Sequence, residues 1–265
     1  SDSPWAPTGF GTNTKNIAAI FAEAGHHVGY GGCQNPQHDP NYEVEWPLGS
    51  GKKQKMELLP LMYPGDEKFG EKSFPEWVGK FKPDLVFTHL DIQMFSYMMQ
   101  VKKPMGIQLP TVDPKGKPLT PADIARHAKK ALKISQKPRF KVGSIIPIDG
   151  QPSIPAWQAT LKDVDYPVAM SEYGKTVMKL DFPDLGNSWH KKVQTIPHGV
   201  DTDFFKPRLS NKPDAFVVGC VARNQHRKNI PRLMRAFKIF VERNNLTPND
   251  ARLLLHMNWE DHMGW

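Results

Sequence analysis

At 265 residues the chain has room for about two domains and a sizeable core. Its hydrophobic fraction of 39% is ordinary, and no apolar run approaches the roughly 18 residues of a membrane helix, which argues against a helical membrane span. The net charge of +8 favours an anionic partner: a phosphorylated small molecule, nucleic acid or an acidic membrane surface.

With no signal-peptide pattern at its start, the chain reads as cytoplasmic and soluble. Cys33 and Cys220 stand in Gly-rich or apolar settings that suit reduced thiols. The 25 prolines are spread among apolar segments and mark loops between elements.

Ser1 to Thr14 is loop chemistry around Gly9 and Gly11. Ile17, Ile20, Phe21 and Ala24 then mark a helical face stopped by Gly25, and His27 to Tyr30 reads as a strand. A Gly-x-Gly loop opening a helix suits close approach of backbone to a ligand; the strand that normally precedes it would lie ahead of Ser1. Asn41 to Gly70 reads as irregular, with a mobile, solvated tip at Gly49 to Lys53 that lacks the spacing of a P-loop. Ser73 caps a short helix, Pro75 to Phe81, and Leu85 to Thr88 form a buried strand. His89 and Asp91 follow at its C-terminal end, where open α/β sheets bind ligands. A substrate-orienting pair is one reading there, and helix capping by Asp91 is the commoner one.

Val101 to Phe140 is Pro-rich and basic. A helix from Thr120 carries Arg126, His127, Lys129, Lys130 and Lys133 on its polar face; nucleic acid or anionic lipid could meet it, although a solvated face is the usual meaning. Val142 to Ile148 is the next strand, with Asp149 just past it. A helix around Pro155 to Leu161 leads to Asp163-Val164-Asp165. A D-x-D pair can hold a divalent metal between phosphates, but this one precedes the strand Tyr166 to Met170 and reads as a turn without a catalytic metal. Ser171-Glu172-Tyr173-Gly174 opens another short helix, and Val193 to Ile196 is a further strand. This alternation argues for a parallel sheet with helices on both faces. Pro197 to Pro213 reads as an interdomain segment.

Phe216 to Ala222 is a β-branched run suited to a buried strand. The polar, basic Arg223 to Asn229 follows. Ile230, Leu233, Met234, Phe237, Phe240 and Val241 then fall on one helical face, with Asn229 as cap and Pro231 in the first turn. Such a junction gathers free N–H groups, the positive end of the helix dipole and fixed cations, a place for a phosphate. An ordinary turn with solvated cations explains the pattern about as well. Ala251 to Met257 is one more strand, so this second domain reads as incomplete.

Four stretches resemble one family in order. TIPHGVDTDFFKP (Thr195 to Pro207), VGCVARNQHRKNIPRLMRAF (Val218 to Phe237), PVAMSEYGKTVMK (Pro167 to Lys179) and SDSPWAPTGFGTNT (Ser1 to Thr14) are similar to segments of GT-B fold glycosyltransferases, in the large retaining group that uses nucleotide-diphosphate sugars. The resemblance implies two Rossmann-like doubly wound α/β domains, residues 1–207 on the acceptor side and 208–265 opening the donor-nucleotide domain, truncated at both ends. It implies that Arg223 and Lys228 hold the donor diphosphate, and that Gly9 and Gly11 let the first helix approach the same phosphates. Ser171, Glu172 and His198 fall to the acceptor side, with His198 and Asp201 as hinge residues. Many relatives carry a His after the strand equivalent to Val142–Ile148; Asp149 stands there instead and is the catalytic candidate. The family's E-x7-E motif would lie past Trp265, so residues 1–265 alone are expected not to turn over.

The implied partners are a nucleotide-sugar donor and an acceptor glycan, lipid or protein, with no cofactor, no metal, no nucleic acid and room for peripheral membrane contact. A nucleoside diphosphate leaving group needs charge stabilisation more than protonation, which two cations and a helix end can supply. His26 and His27, adjacent on a strand, would point to opposite faces and could not share a metal. A GT-B-like phosphorylase, a sugar-nucleotide epimerase and a basic nucleic-acid-binding protein are the alternatives.

Overall fold

The computed structural model describes residues 2–6, 8–32, 41–47, 50–60, 69–102, 120, 122–123, 126, 139–207 and 214–260. Their architecture is mixed α/β, and the chain divides into two compact units, Ser1–Phe205 and Lys206–Trp265. Cys33 and four residues of the basic helix face, His127, Lys129, Lys130 and Lys133, lie outside the described residues. Among the described residues no helix is long and apolar enough to cross a membrane.

The first unit opens with helix α1 (Gly9–Glu23), earlier than the loop composition suggests. Thr8 caps it, its hydroxyl accepting from the Gly11 amide at 3.0 Å. At the other end Gly25 adopts φ +86°, and the Gly25 and His26 amides donate to Ala22 and Phe21 in a Schellman pattern. The inward face is also shifted from the expected one. Gly11, Thr14, Ala18 and Ala19 are buried, whereas Ile20 is exposed, so small residues let α1 sit close to its sheet.

That sheet has the order β1-β3-β2, from β1 (Gly29–Gly32), β2 (Asn41–Glu45) and β3 (Lys53–Pro60). β1 runs parallel and β2 antiparallel to β3. The irregular segment expected from Asn41 onward is therefore wrong over β2 and β3, which pair antiparallel on either side of Ser50 to Lys52. Tyr42 and Val44 alternate with Glu43 and Glu45, and Met56 and Leu58 with Lys55 and Glu57. This period of two buries Val44, Met56 and Leu58 beside Tyr30. His26 and His27 precede β1 instead of lying on it; His27 Nε2 stands 3.5 Å from Glu57.

Next come α2 (Ser73–Phe81), β4 (Leu85–His89), α3 (Ile92–Phe95), α4 (Met98–Lys102), β5 (Lys141–Ile146), α5 (Gln158–Leu161), β6 (Tyr166–Ala169), α6 (Glu172–Asp181), α7 (Gly186–His190) and β7 (Gln194–Thr195). α2 starts at Ser73 itself, so Ser73 is a helix residue and not the N-cap. Strands β4 to β7 form a four-stranded sheet in that order, every pair parallel. Helices cover them, and Val142 and Ile146 have no exposed surface. Thr88 and Ser144, opposite each other in register, satisfy one another by a 2.9 Å hydrogen bond in this apolar layer.

The second unit holds β8 (Phe216–Val221), a 3-10 turn (His226–Lys228), α8 (Ile230–Arg243) and β9 (Ala251–His256), with β8 parallel to β9. α8 lies over the face bearing Val218, Cys220, Leu253 and Leu255, all half-buried. Of the periodic face only Ile230 is buried. The opposite face of the sheet leaves Val217, Val221 and Leu254 exposed. Alternation along β9 turns Leu253 and Leu255 toward α8 and Leu254 away.

Asp165 ties the four-stranded sheet together. Its carboxylate meets Lys102 Nζ at 2.6 Å and Lys141 Nζ at 3.2 Å, and accepts from the Val142 amide at 2.8 Å. Lys102 also donates to the Asp163 carbonyl, so the D-x-D segment is a structural turn. Burial alone would raise the Asp165 pKa, but these three donors outweigh it and hold the pKa below the ordinary carboxylate value. Asp165→Ala should lower the unfolding free energy at pH 7 by about 3 kcal/mol, because it leaves Lys102 largely buried without its partner. Because the folded pKa is depressed, the wild type should lose this advantage as pH falls through and below about 3.9, and the variant should not. Urea unfolding from pH 3 to 7 checks both, and an unchanged midpoint would show the ion pair to be idle.

Candidate functional site

The parallel sheet sends four loops to one edge, and the chemistry-bearing residues of the first unit collect there. His89 ends β4, Asp91 follows it, Asp149 follows β5, Ser171 and Glu172 follow β6, and His198 follows β7. The start of α1 completes the group with Phe10 and Asn13.

His89 is the central residue. It has no exposed surface, and neither ring nitrogen has a hydrogen-bond partner. The Phe10 ring packs against it edge-on at 4.8 Å between centroids, and the His198 ring does the same at 5.0 Å. Burial first, and the neighbouring His198 second, lower the His89 pKa to about 4. The ring is therefore neutral at pH 7, with one donor and one acceptor nitrogen. His198 is exposed, and its Nδ1 lies 3.2 Å from Asn13 Nδ2. An amide nitrogen only donates, so Nδ1 accepts and Nε2 carries the hydrogen.

Three carboxylates at this edge, Asp91, Asp149 and Asp2, stand near enough for their charges to interact. Asp91 sits at the N-cap position of α3, yet its side chain makes no capping bond; the expected cap is not formed. Partial burial first, then the charges of Asp149 and Asp2, raise its pKa. Asp149 itself is exposed. His89 presents no surface to a ligand, so the groups accessible at this edge are His198 and Asp149. Among the described residues no group of three or more His, Cys, Asp and Glu side chains stands at metal-holding distances.

The other expected residues have simpler surroundings. Ser171 is the N-cap of α6, its hydroxyl accepting from the Gly174 amide at 3.0 Å. Glu172 is exposed in that helix's first turn, where its charge suits the dipole. Asp201 caps its own turn, accepting from the Asp203 and Phe204 amides. Gly9 and Gly11 belong to the first turn of α1 and not to a loop. A Cβ on Gly11 would stand 2.8 Å from the Ser3 and Ala6 carbonyl oxygens, so this glycine makes room for the chain's own N-terminal turn; Gly9 borders open space.

In the second unit, Arg223 and Lys228 are both exposed at the turn between β8 and α8. Asn229 takes a left-handed conformation, φ 49°, and makes no side-chain cap. The amides of Lys228, Asn229, Arg232 and Leu233 already donate to backbone carbonyls, and Pro231 has none. The amides at the end of the turn and in the first turn of α8 are thus engaged, and the two cations stand exposed beside them. Buried Asn224 donates to the Trp259 carbonyl at 3.2 Å, while its side-chain oxygen has no partner.

Phe10 and Asn13 escape sequence reasoning, because nothing in a helix pattern shows which residue meets a histidine 79 or 185 positions away. His89 had a signal, its place at a strand's C-terminal end, but no sequence pattern reports that both its nitrogens are buried. No known protein family matches the chain, and no curated protein matches it.

Protonation of His89 tests this arrangement. Its folded pKa lies below the unfolded value, so the unfolded chain binds the extra proton first and stability falls as pH drops from about 6.5 to about 4. The loss across that window should be about 3 kcal/mol, and His89→Leu should remove this part of the slope. Urea unfolding at three pH values in the window measures it, and identical slopes in both proteins would refute a buried, neutral His89.

Proposed function

We propose that the chain is a glycosyltransferase that moves a sugar from a nucleotide-diphosphate sugar to a hydroxyl-bearing acceptor, built from two Rossmann-like units of the GT-B type. The observation that supports this most is the turn between β8 and α8. Two exposed cations, Arg223 and Lys228, stand there at the C-terminal end of a parallel strand and the start of a helix, the position at which α/β sheets receive phosphorylated ligands. In this reading both cations grip the diphosphate and offset the charge that develops as it leaves.

The first unit takes the acceptor. The Asp91–Asp149 carboxylates suit a hydroxyl, which needs a hydrogen-bond acceptor and a base and not a cation. Asp149, exposed beside the raised Asp91, is the group in this reading that receives the acceptor's proton. Ser171 supports the site by holding the start of α6.

Calorimetric titration with UDP, GDP and ADP tests the donor side. Arg223→Ala and Lys228→Ala should each weaken nucleoside diphosphate binding by about tenfold or more, the loss expected for a charge-assisted hydrogen bond. Binding that is absent in the wild type, or equal in both variants, would overturn the assignment.

A further inference from the structure

The second unit leaves one large aromatic side chain in water beside its cations. Trp259 follows β9 and keeps 77% of its surface exposed. β8 and β9 run parallel, so the segments after them leave the sheet at the same edge. The Ala222 amide donates to the His256 carbonyl at 3.3 Å, which joins the two segments where they start. Two residues further on, Asn224 Nδ2 donates to the Trp259 carbonyl at 3.2 Å. Exposed Arg223 and Lys228 stand on one of these segments and the indole on the other.

Asn224 holds this loop at a cost. Its side chain is 6% exposed and its oxygen has no partner, so part of the desolvation penalty stays uncompensated. What it secures is the backbone of Trp259. On the other side the Asn258 side chain accepts from the Glu260 amide at 3.1 Å and closes a turn around Trp259. The main chain of Trp259 is therefore fixed next to the cationic turn, while its ring forfeits the burial that a core position would give it.

A nucleoside diphosphate has an anionic end and a flat aromatic end. Cations suit the first. An exposed indole suits the second, because every base has a π-face that can stack on an aromatic side chain. A sugar phosphate or an acidic peptide would use the cations and leave the indole uncovered. We propose that Trp259 is the base platform of this site: a purine stacks on its indole while Arg223 and Lys228 hold the diphosphate. ADP and GDP are then preferred to UDP, since a two-ring base covers more of the indole than a one-ring base does. The proposal rests on the diphosphate reading of the turn between β8 and α8 and adds the class of base to it. Asn224 is a positioning residue that sets where Trp259 stands relative to the cations.

Calorimetric titration of the full chain with ADP, GDP, UDP and inorganic pyrophosphate tests the stack. ADP and GDP should bind at least about threefold more tightly than UDP. Trp259→Ala should weaken ADP and GDP by about fivefold or more, the lower end for a base on an aromatic side chain, and should leave pyrophosphate unchanged. Trp259→Phe, which keeps an aromatic face, should retain most of the affinity. Unchanged ADP and GDP binding in Trp259→Ala, with Arg223→Ala and Lys228→Ala still weakening every ligand, would overturn the stack and leave the diphosphate reading standing. A parallel loss of pyrophosphate in Trp259→Ala would show the residue holding the turn, and would overturn the stack as well. UDP bound as tightly as ADP and GDP would overturn the purine preference. No binding of any of the four by the wild type would overturn both the stack and the diphosphate reading.

Discussion

Parallel strands must all finish on one side of their sheet, and the candidate site of the first unit exists because of that requirement. β4, β5, β6 and β7 each need a crossover before the next can pair, so their following loops share one edge. His89, Asp149, Ser171 and His198 are far apart in the chain and arrive together without any local motif. Asp165 works at the opposite end of the same strands, where it clamps Lys102, Lys141 and the Val142 amide. One carboxylate therefore clamps the starts of the strands, and the carboxylates of the candidate site stand at their far ends.

The edge group is internally tense. A buried imidazole with two unpartnered nitrogens forgoes hydrogen bonds that water would supply. Phe10 and His198 shield it with ring edges and not with polar groups. Asp91 is in a related state, held partly buried near two like charges. For His89 that cost is borne by the fold, since the ring leaves no surface exposed.

Much of the strand placement was legible because β-branched runs bounded by turn residues are hard to read otherwise; Leu85–His89, Lys141–Ile146 and Phe216–Val221 carry that pattern, and Ala251–His256 is a short apolar run. The hairpin of β2 and β3 was not, although Tyr42 and Val44 alternate with glutamates. Its Gly-, Ser- and Lys-rich tip dominates the local composition and hides a period of two. The start of α1 was misread for a similar reason, since Ser, Pro, Gly and Thr dominate the segment that Thr8 caps. α8 shows the limit of periodicity: its apolar stripe is right, yet a two-stranded sheet buries only Ile230. The site was the least legible, because burial of His89 is a property of the assembled layers and not of its neighbours in the chain.

The close fit of the N-terminal turn also decides which substitutions the fold can absorb. At Gly29 and Gly143 the atoms nearest an added Cβ belong to the side chains of Leu59 and Phe87, which can change rotamer. At Gly11 and Gly32 they are the backbone atoms of Ser3 and Ala6, which cannot swing aside. Alanine and lysine are therefore equally foreign at these two positions. Evolutionary drift there is fenced by volume alone, and a library screened for folding should return glycine at both whatever activity it is later asked to perform.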